Sequence, residues 1–553
     1  MSAIEPARSR PNLFATVSPA RTGRRLLALA AAGFALGGLE SLALRAQLAR
    51  SGGALMQPST YHQILTLHGV SMVFLAVVPA VLALFLLLVP ARIRDGQTAF
   101  PRLSAFGGWL WVWGALLLHA GLVMGGTSGA GMLGNASMTS IEWASRDTVY
   151  LGPFTFRANG VDWWATGMAL VALAALCVVL DVVTTVFARR AGDKPLAELP
   201  PFAWNSALAG LLGLFAYPAL LAAVVLLQAD RLLEAGRFVP ESGGDATLWA
   251  RLTAILGHPQ VAMLLLPVMG VVSEVVGAAA GRPVHGRGVM RASSALLVLA
   301  GLLGWLAQVT PAGAALAYAL LPLAGALMAL ASGIAVFHWL ATLWGRPVAA
   351  SPALSFALGM AAMIMTGAFS TLPLAFQPAA ARQVGTYFGV AHAHEMLFGG
   401  VVLGLVAALY HFYPKLTGRV LDARLGQLHF ALTLVGAFVT FLPMHVLGLA
   451  GMPRRIHSYP AGMGWDALNS LASLGAIVLL AAGLVFLLAL LRARPAAEPV
   501  AAAPEPAGTP GLMLLALGLA LLAAGTLLGW IAGTLGAGIL VFGIARLLGD
   551  AKS

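Results

Sequence analysis

The chain has 553 residues, of which 59% are hydrophobic and 9% charged, with a formal net charge of +12. Its mean hydropathy is +0.88. Soluble domains carry about 25% charged residues, so this composition excludes a soluble globular fold and indicates an integral membrane protein. The positive balance does not imply nucleic-acid binding, because the Lys and Arg residues sit in short loops between apolar runs. The single cysteine, Cys177, lies inside an apolar run, which excludes disulfides and a thiolate metal site.

Apolar runs near 20 residues recur and alternating strand patterns do not, so the chain is expected to be all-α, with helices as the spanning elements. A basic tail, residues 1–24 (Arg8, Arg10, Arg21, Arg24), precedes the first run. Arg45 and Gln47 follow without a clear cleavage site, so the first run reads as a retained helix rather than a signal peptide. The runs fall at about 25–48, 60–89, 104–124, 162–188, 204–229, 251–280, 290–310, 314–343, 352–372, 386–413, 427–449 and 468–492. These twelve spans make one bundle over 25–492. Residues 493–510, rich in Pro and Ala, read as a flexible linker. A last stretch, 511–548, is broken by Gly529, Gly533, Gly536 and Gly538 and has the length of a tight two-helix hairpin or one overlong helix; Arg546 and Lys552 close the chain and favour the hairpin, with both termini inside. The outer segment Gly125 to Asp162 carries no readable chemistry.

Loop charges orient the bundle. With the N-terminus inside, the inner loops hold Arg92, Arg94 and Arg102; Arg189, Arg190 and Lys194; Arg282, Arg287 and Arg291; Arg346; Lys415, Arg419 and Arg424; and Arg492 and Arg494. The outer loops are poorer in Lys and Arg, as the positive-inside rule requires. The exception is the adjacent pair Arg454-Arg455, whose outer position suggests a fixed anionic partner, the alternative being a solvated loop pair.

The buried polar groups centre on Val390-Ala391-His392-Ala393-His394-Glu395. Each helical residue turns about 100°, so His392 and His394 point roughly 200° apart and cannot share one metal. Ionisable side chains in a bilayer interior mark functional sites by default. Two imidazoles facing apart suggest a helix wedged between two cofactors; two packing histidines bonded to carbonyls is the competing reading. His68, beside Gly69, lies on the second span, where the glycine leaves room for a flat ligand, and His258 lies near the start of the sixth. Imidazole suits haem iron and copper rather than Ca or Mg. With no Cys ligand and with histidines on separate helices, haem is the most economical cofactor. Its propionates would explain the arginine pair, since guanidinium holds carboxylates bidentately.

These segments resemble subunit I of the haem-copper respiratory oxidases, the cytochrome c oxidase type. The resemblance runs from about Gly38 to Trp465. It is carried in order by Gly38-Leu39-Glu40-Ser41, the His68 helix, Ala99-Phe100-Pro101-Arg102, Gly160-Val161-Asp162-Trp163, Gly257-His258-Pro259, Val390-Ala391-His392-Ala393-His394, Tyr413-Pro414-Lys415-Leu416-Thr417-Gly418 and Leu447-Gly448-Leu449-Ala450-Gly451-Met452-Pro453-Arg454-Arg455. It implies a twelve-helix subunit I bundle. It also implies that His68 and His394 are the axial ligands of a low-spin haem, and that His392 is the proximal ligand and catalytic position of a high-spin haem. Arg454 and Arg455 become the propionate pair, and Arg45 the arginine beside the low-spin haem's ring substituent.

The departures from the family pattern fall together. His258 survives at the residual copper position, but the adjacent histidine pair aligns with Thr310 and Pro311, and the cross-linked tyrosine with Ala262. The proton-channel glutamate, lysine and aspartate align with Gln260, Ala335 and Gln97. A His-Asp pair that helps hold magnesium aligns with Val384 and Gly385. One imidazole makes a poor copper site, so copper is doubtful while two haems are expected. A divergent membrane cytochrome passing electrons in a respiratory-type complex is the leading expectation. Its expected partners are other oxidase subunits and a cytochrome c or quinol donor, in a bacterial inner membrane. A terminal reductase of O₂ or NO, and a catalytically silent scaffold or haem-sensing subunit, are the alternatives. His338, beside the lysine position, could replace a ligand or carry protons, with ordinary packing favoured.

Overall fold

The structure is a computed structural model, and it describes residues 17–93, 96–123, 149–151, 154–156, 160–188, 195–238, 240–245, 247–310, 314–375, 383–496 and 510–550. Arg8, Arg10, Arg94, Arg189, Arg190, Lys194, Pro311 and most of the 125–159 segment and of the 493–510 linker lie outside the described residues.

Among the described residues fourteen helices are long and apolar enough to cross a membrane. They are α1 (Pro19–Leu48), α2 (Pro58–Ile93), α3 (Pro101–Gly121), α4 (Gly160–Ala188), α5 (Pro201–Leu233), α6 (Leu248–Ala280), α7 (Arg287–Val309), α8 (Ala315–Leu343), α9 (Pro352–Thr371), α10 (Tyr387–Thr417), α11 (Ala423–Leu449), α12 (Asp466–Leu491), α13 (Pro510–Leu528) and α14 (Trp530–Leu547). The chain is an all-α, multi-pass membrane protein: twelve helices and a C-terminal helical hairpin. Several helices start earlier than their apolar run. Proline opens α1, α2, α3, α5, α9 and α13, where its missing N–H removes a donor that the first turn leaves unpaired anyway. Ser18 completes the start of α1, its Oγ accepting the Arg21 amide at 3.3 Å.

Burial sorts the helices into centre and rim. In α2 and α6 83% and 78% of the most apolar window is buried, against 22% in α12 and 11% in α14. The central pair carries His68 and His258. The outer helices turn Leu474, Ile477, Leu484, Val541 and Phe542 outward, which suits a lipid face. Gly529, with φ of +93°, makes the turn between α13 and α14. Two of the glycines that interrupt this stretch are contacts: a Cβ on Gly525 would fall 2.4 Å from Gly533 Cα and one on Gly536 2.4 Å from the Leu522 nitrogen, whereas Gly538 faces open space. α13 leans on α3 and α4.

Two stretches depart from α geometry into π-helix, Ser71–Val77 in α2 and Glu395–Val402 in α10. The first begins three residues after His68 and the second directly after His394, and such widened turns occur frequently at functional sites. Within the long segment before α4, Val149–Leu151 (β1) pairs antiparallel with Phe154–Phe156 (β2). Asp162, opening α4, meets Arg231 of α5 at 2.6 Å, and both side chains are at most 2% exposed.

Candidate functional site

α2 and α10 bring His68 and His394 together. Their ring centres are 6.2 Å apart and their planes differ by 12°. Two imidazoles sharing one metal through bonds of about 2.0–2.1 Å have ring centres on the order of 6 Å apart, so the pair fits an iron between them. The tautomers agree. His68 Nδ1 lies 2.9 Å from the Gly37 carbonyl oxygen, and His394 Nδ1 lies 2.8 Å from that of Val390. A nitrogen facing a carbonyl carries the hydrogen and donates it, which leaves Nε2 of each ring with a lone pair available to a metal. A Cβ added to Gly69 would meet nothing within 4 Å, so the helix next to His68 has open space for a flat ring.

His392 faces another set of groups. Its Nδ1 lies 2.9 Å from Ser370 Oγ of the α9 helix. His258 and His445 are near enough to act on it electrostatically. His258 sits at the irregular start of the α6 core, in a space left by Gly304, where a Cβ would come within 2.5 Å of the imidazole. The Gln308 amide lies 3.3 Å from His258 Nδ1. Thr310 spends its hydroxyl on the Leu306 carbonyl at 2.7 Å. Among the described residues no group of three or more His, Cys, Asp or Glu could hold a metal ion. Gln260 is buried with its Nε2 unpartnered, Ala262 and Ala335 are fully buried, and Gln97, Val384 and Gly385 are exposed.

The arginine pair is tied to the start of α10. Tyr387 donates its amide to Met452 O at 2.9 Å, and Arg454 donates its amide to Gly385 O at 3.0 Å. At 1.5 Å per residue, His392 and His394 lie roughly 8–10 Å further along that helix, within reach of a group bridging both. Arg455 holds φ at +66°, a left-handed conformation uncommon outside glycine. Neither guanidinium has a carboxylate partner or side-chain hydrogen bond among the described residues. Burial, and then the charge of Arg454, holds the Arg455 guanidinium below its ordinary value; an anion beside it would relieve both. Arg45 is 7% exposed and donates from Nη2 to Asn469 O at 2.8 Å and Asn469 Oδ1 at 3.0 Å. Its buried Nε and Nη1 make no hydrogen bond of good geometry, with the Tyr387 hydroxyl close at hand. Those donors fit a polar ring substituent.

His338 is not beside His258. It stacks on His285, with Nδ1 atoms 3.1 Å apart. Gly286 touches His338 while Gly304 touches His258, and eighteen helical residues between them span roughly 27 Å. A replacement-ligand role at the His258 site is therefore excluded by distance. Sequence reasoning missed Ser370, Glu395, His445 and Gln308. Glu395 and His445 did carry a signal, as ionisable side chains inside apolar spans. Ser370 and Gln308 are visible only once helices pack.

The family described as "Cytochrome C and Quinol oxidase polypeptide I" matches residues 21–478. The cytochrome c oxidase subunit 1 of Bacillus subtilis is 32% identical over 465 residues, covering 84% of this chain and 72% of its own. That of Thermostichus vulcanus is 34% identical over 451 residues, covering 81% and 78%. A solved heme-copper terminal oxidase dimer superposes with a TM-score of 0.68 at 17% identity over 92% of each chain, which shows the shared fold. The chain belongs to the cytochrome c and quinol oxidase polypeptide I family, the subunit I type of the haem-copper oxidases.

Proposed function

We propose that this subunit I-type protein is a membrane cytochrome that transfers electrons between two haems in a respiratory-type redox complex. The observation that carries it is the His68–His394 pair, 6.2 Å between centres and 12° between planes, with both Nδ1 atoms committed to backbone carbonyls. A bound haem supplies one-electron chemistry whose potential its axial ligands set. His68 and His394 hold the low-spin site, His392 holds the high-spin site, Arg454 and Arg455 clamp propionates, and Arg45 meets a ring substituent. His258 faces the Gln308 amide, and Gln260 stands where the family's channel carboxyl would be. An amide does not exchange a proton near neutral pH. These residues support electron transfer without a complete copper site and without the family's proton routes. The bundle over 25–492, the 493–510 linker, a cytoplasmic N-terminus in a bacterial inner membrane, companion subunits and a cytochrome c or quinol donor complete the proposal.

Haem and copper content of the purified protein, with reduced spectra taken with and without CO, tests it. Two haems without stoichiometric copper are expected. No haem would sink it, and stoichiometric copper would return ordinary oxidase chemistry. A CO-sensitive spectrum together with O₂ or NO turnover would favour a terminal reductase.

A further inference from the structure

We propose that Glu395, acting through Ser370, is the positioning partner of the His392 imidazole and sets how electron-rich its ligating nitrogen is; this rests on His392 being the high-spin haem ligand. Three helices converge behind that imidazole. Ser370 comes from α9, Glu395 from α10 and His445 from α11. His392 Nδ1 lies 2.9 Å from Ser370 Oγ, and Ser370 Oγ lies 3.0 Å from Glu395 Oε2. When His392 ligates through Nε2, its Nδ1 holds a hydrogen and donates to the hydroxyl at 2.9 Å, with the Gly367 carbonyl as a second neighbour of the ring. The hydroxyl hydrogen then has two acceptors, the Gly367 carbonyl at 3.0 Å and the Glu395 carboxyl at 3.0 Å. The Gly367 carbonyl belongs to the serine's own helical turn, whereas the Glu395 carboxyl comes from α10 and ties the two helices together, so we assign the hydroxyl hydrogen to Glu395.

The carboxyl is enclosed: Glu395 is 1% exposed, and His445 Nε2 lies 3.1 Å from its other oxygen, Oε1, without the geometry of a hydrogen bond. Gly367 leaves the space that Met396 and Glu395 fill, since a Cβ there would fall 2.6 Å from Met396 Sδ and 3.7 Å from Glu395 Cβ. Glu395 also opens the π-helical stretch, so the register change and the carboxyl occur at the same residue. A buried carboxyl inside a bilayer is costly, and nothing in the His68–His394 pair requires it. A metal-ligating histidine whose second nitrogen reaches a carboxylate becomes a more basic ligand. Here the hydroxyl of Ser370 relays that effect, which favours the oxidised iron.

Glu395→Gln, Ser370→Ala and Ser370→Thr in the full chain test this. The readouts are the midpoint potential of the high-spin haem and its iron–imidazole stretching frequency by resonance Raman. In Glu395→Gln and Ser370→Ala the reduction equilibrium should move at least tenfold towards the reduced form, about 59 mV for one electron. The stretching frequency should fall, and the low-spin haem should keep its potential. Ser370→Thr, which retains the hydroxyl, should stay with the parent. Unchanged potential and frequency in both disruptive variants, with haem content preserved, would overturn the proposal. So would equal shifts at both haems, the mark of a general packing defect. A parent protein with no high-spin haem signal would overturn the assignment of His392 itself, an outcome visible before any variant is made.

Discussion

A histidine that bonds a carbonyl through Nδ1 has one nitrogen left, and in His68 and His394 those nitrogens belong to nearly parallel rings held on different helices. Neither ring needs the other for packing: His394 also lies 5.0 Å from the Phe441 ring, and His68 is held by Gly37. Removing one imidazole should therefore remove the low-spin site without unfolding the bundle. His394→Ala is expected to abolish the low-spin bis-imidazole signal in electron paramagnetic resonance while the His392 haem signal persists. Survival of the low-spin signal would show that another side chain ligates. The arginines make a different prediction. Hydrogen bonds to charged groups contribute about 1.5–3 kcal/mol, so Arg455→Ala should weaken haem retention roughly 10–100-fold in competition with apomyoglobin. Retention unchanged in that competition would leave the pair as ordinary loop charges. At this scale the histidines and arginines were legible because charge inside or beside an apolar run is costly and therefore conspicuous. Ser370 and Gln308 were not legible: a hydroxyl and an amide are common in spans, and only packing shows what they face.

Helix contacts at this site depend on a few side chains being small. A Cβ on Gly448 would fall 2.0 Å from the Phe388 backbone nitrogen, so α11 crosses α10 backbone against backbone just before the helix delivers His392. Overpacking of this kind costs about 1–3 kcal/mol. Gly448→Ala should lower the melting temperature and shift the spectra of both haems, since the helix that moves bears the proposed ligands His392 and His394. A variant with a parent-like melting temperature and spectra would mean that the crossing relaxes without cost. The α4–α5 pair offers a contrast. Asp162 and Arg231 form a buried ion pair, and breaking such a pair by removing one partner costs about 3–5 kcal/mol. Asp162→Asn should therefore destabilise the detergent-solubilised protein by that order, read by thermal unfolding, with both haem spectra unchanged in the folded fraction. The helices themselves were legible from run length and hydropathy, twelve spans and a hairpin. Their starts were not, because a proline-led polar first turn carries no apolar signal. The π-helical stretches were also hidden, because Ser71–Val77 and Glu395–Val402 read in the sequence as ordinary apolar helix.

The whole molecule separates a site-bearing bundle from an appendage. His68, His258, His392, His394, Arg45, Arg454 and Arg455 all lie before residue 492, and the family match ends at 478. The hairpin α13–α14 contributes none of them. It packs along α3 and α4, covering Trp163 with Ala524 and Leu527, and reaches the start of the chain through Leu512 beside Val17 and Ala105. Its own two helices are held mainly by each other, through glycines that let the backbones touch. The chain ending at residue 496 should therefore insert, bind haem in the same ratio and keep the parent spectra. It should melt at a lower temperature, because the α3–α4 face and Trp163 lose their cover. Haem-to-protein ratio and a thermal melt, measured side by side on the full and shortened chains, decide this. Loss of either haem on truncation would mean that the hairpin supports the site across the bundle, although it contributes none of the site's imidazoles or guanidiniums. Equal melting temperatures would mean that lipid or detergent covers α3 as well as the hairpin does. That outcome would shift the purpose of the hairpin from stability to the neighbours this subunit meets in the membrane.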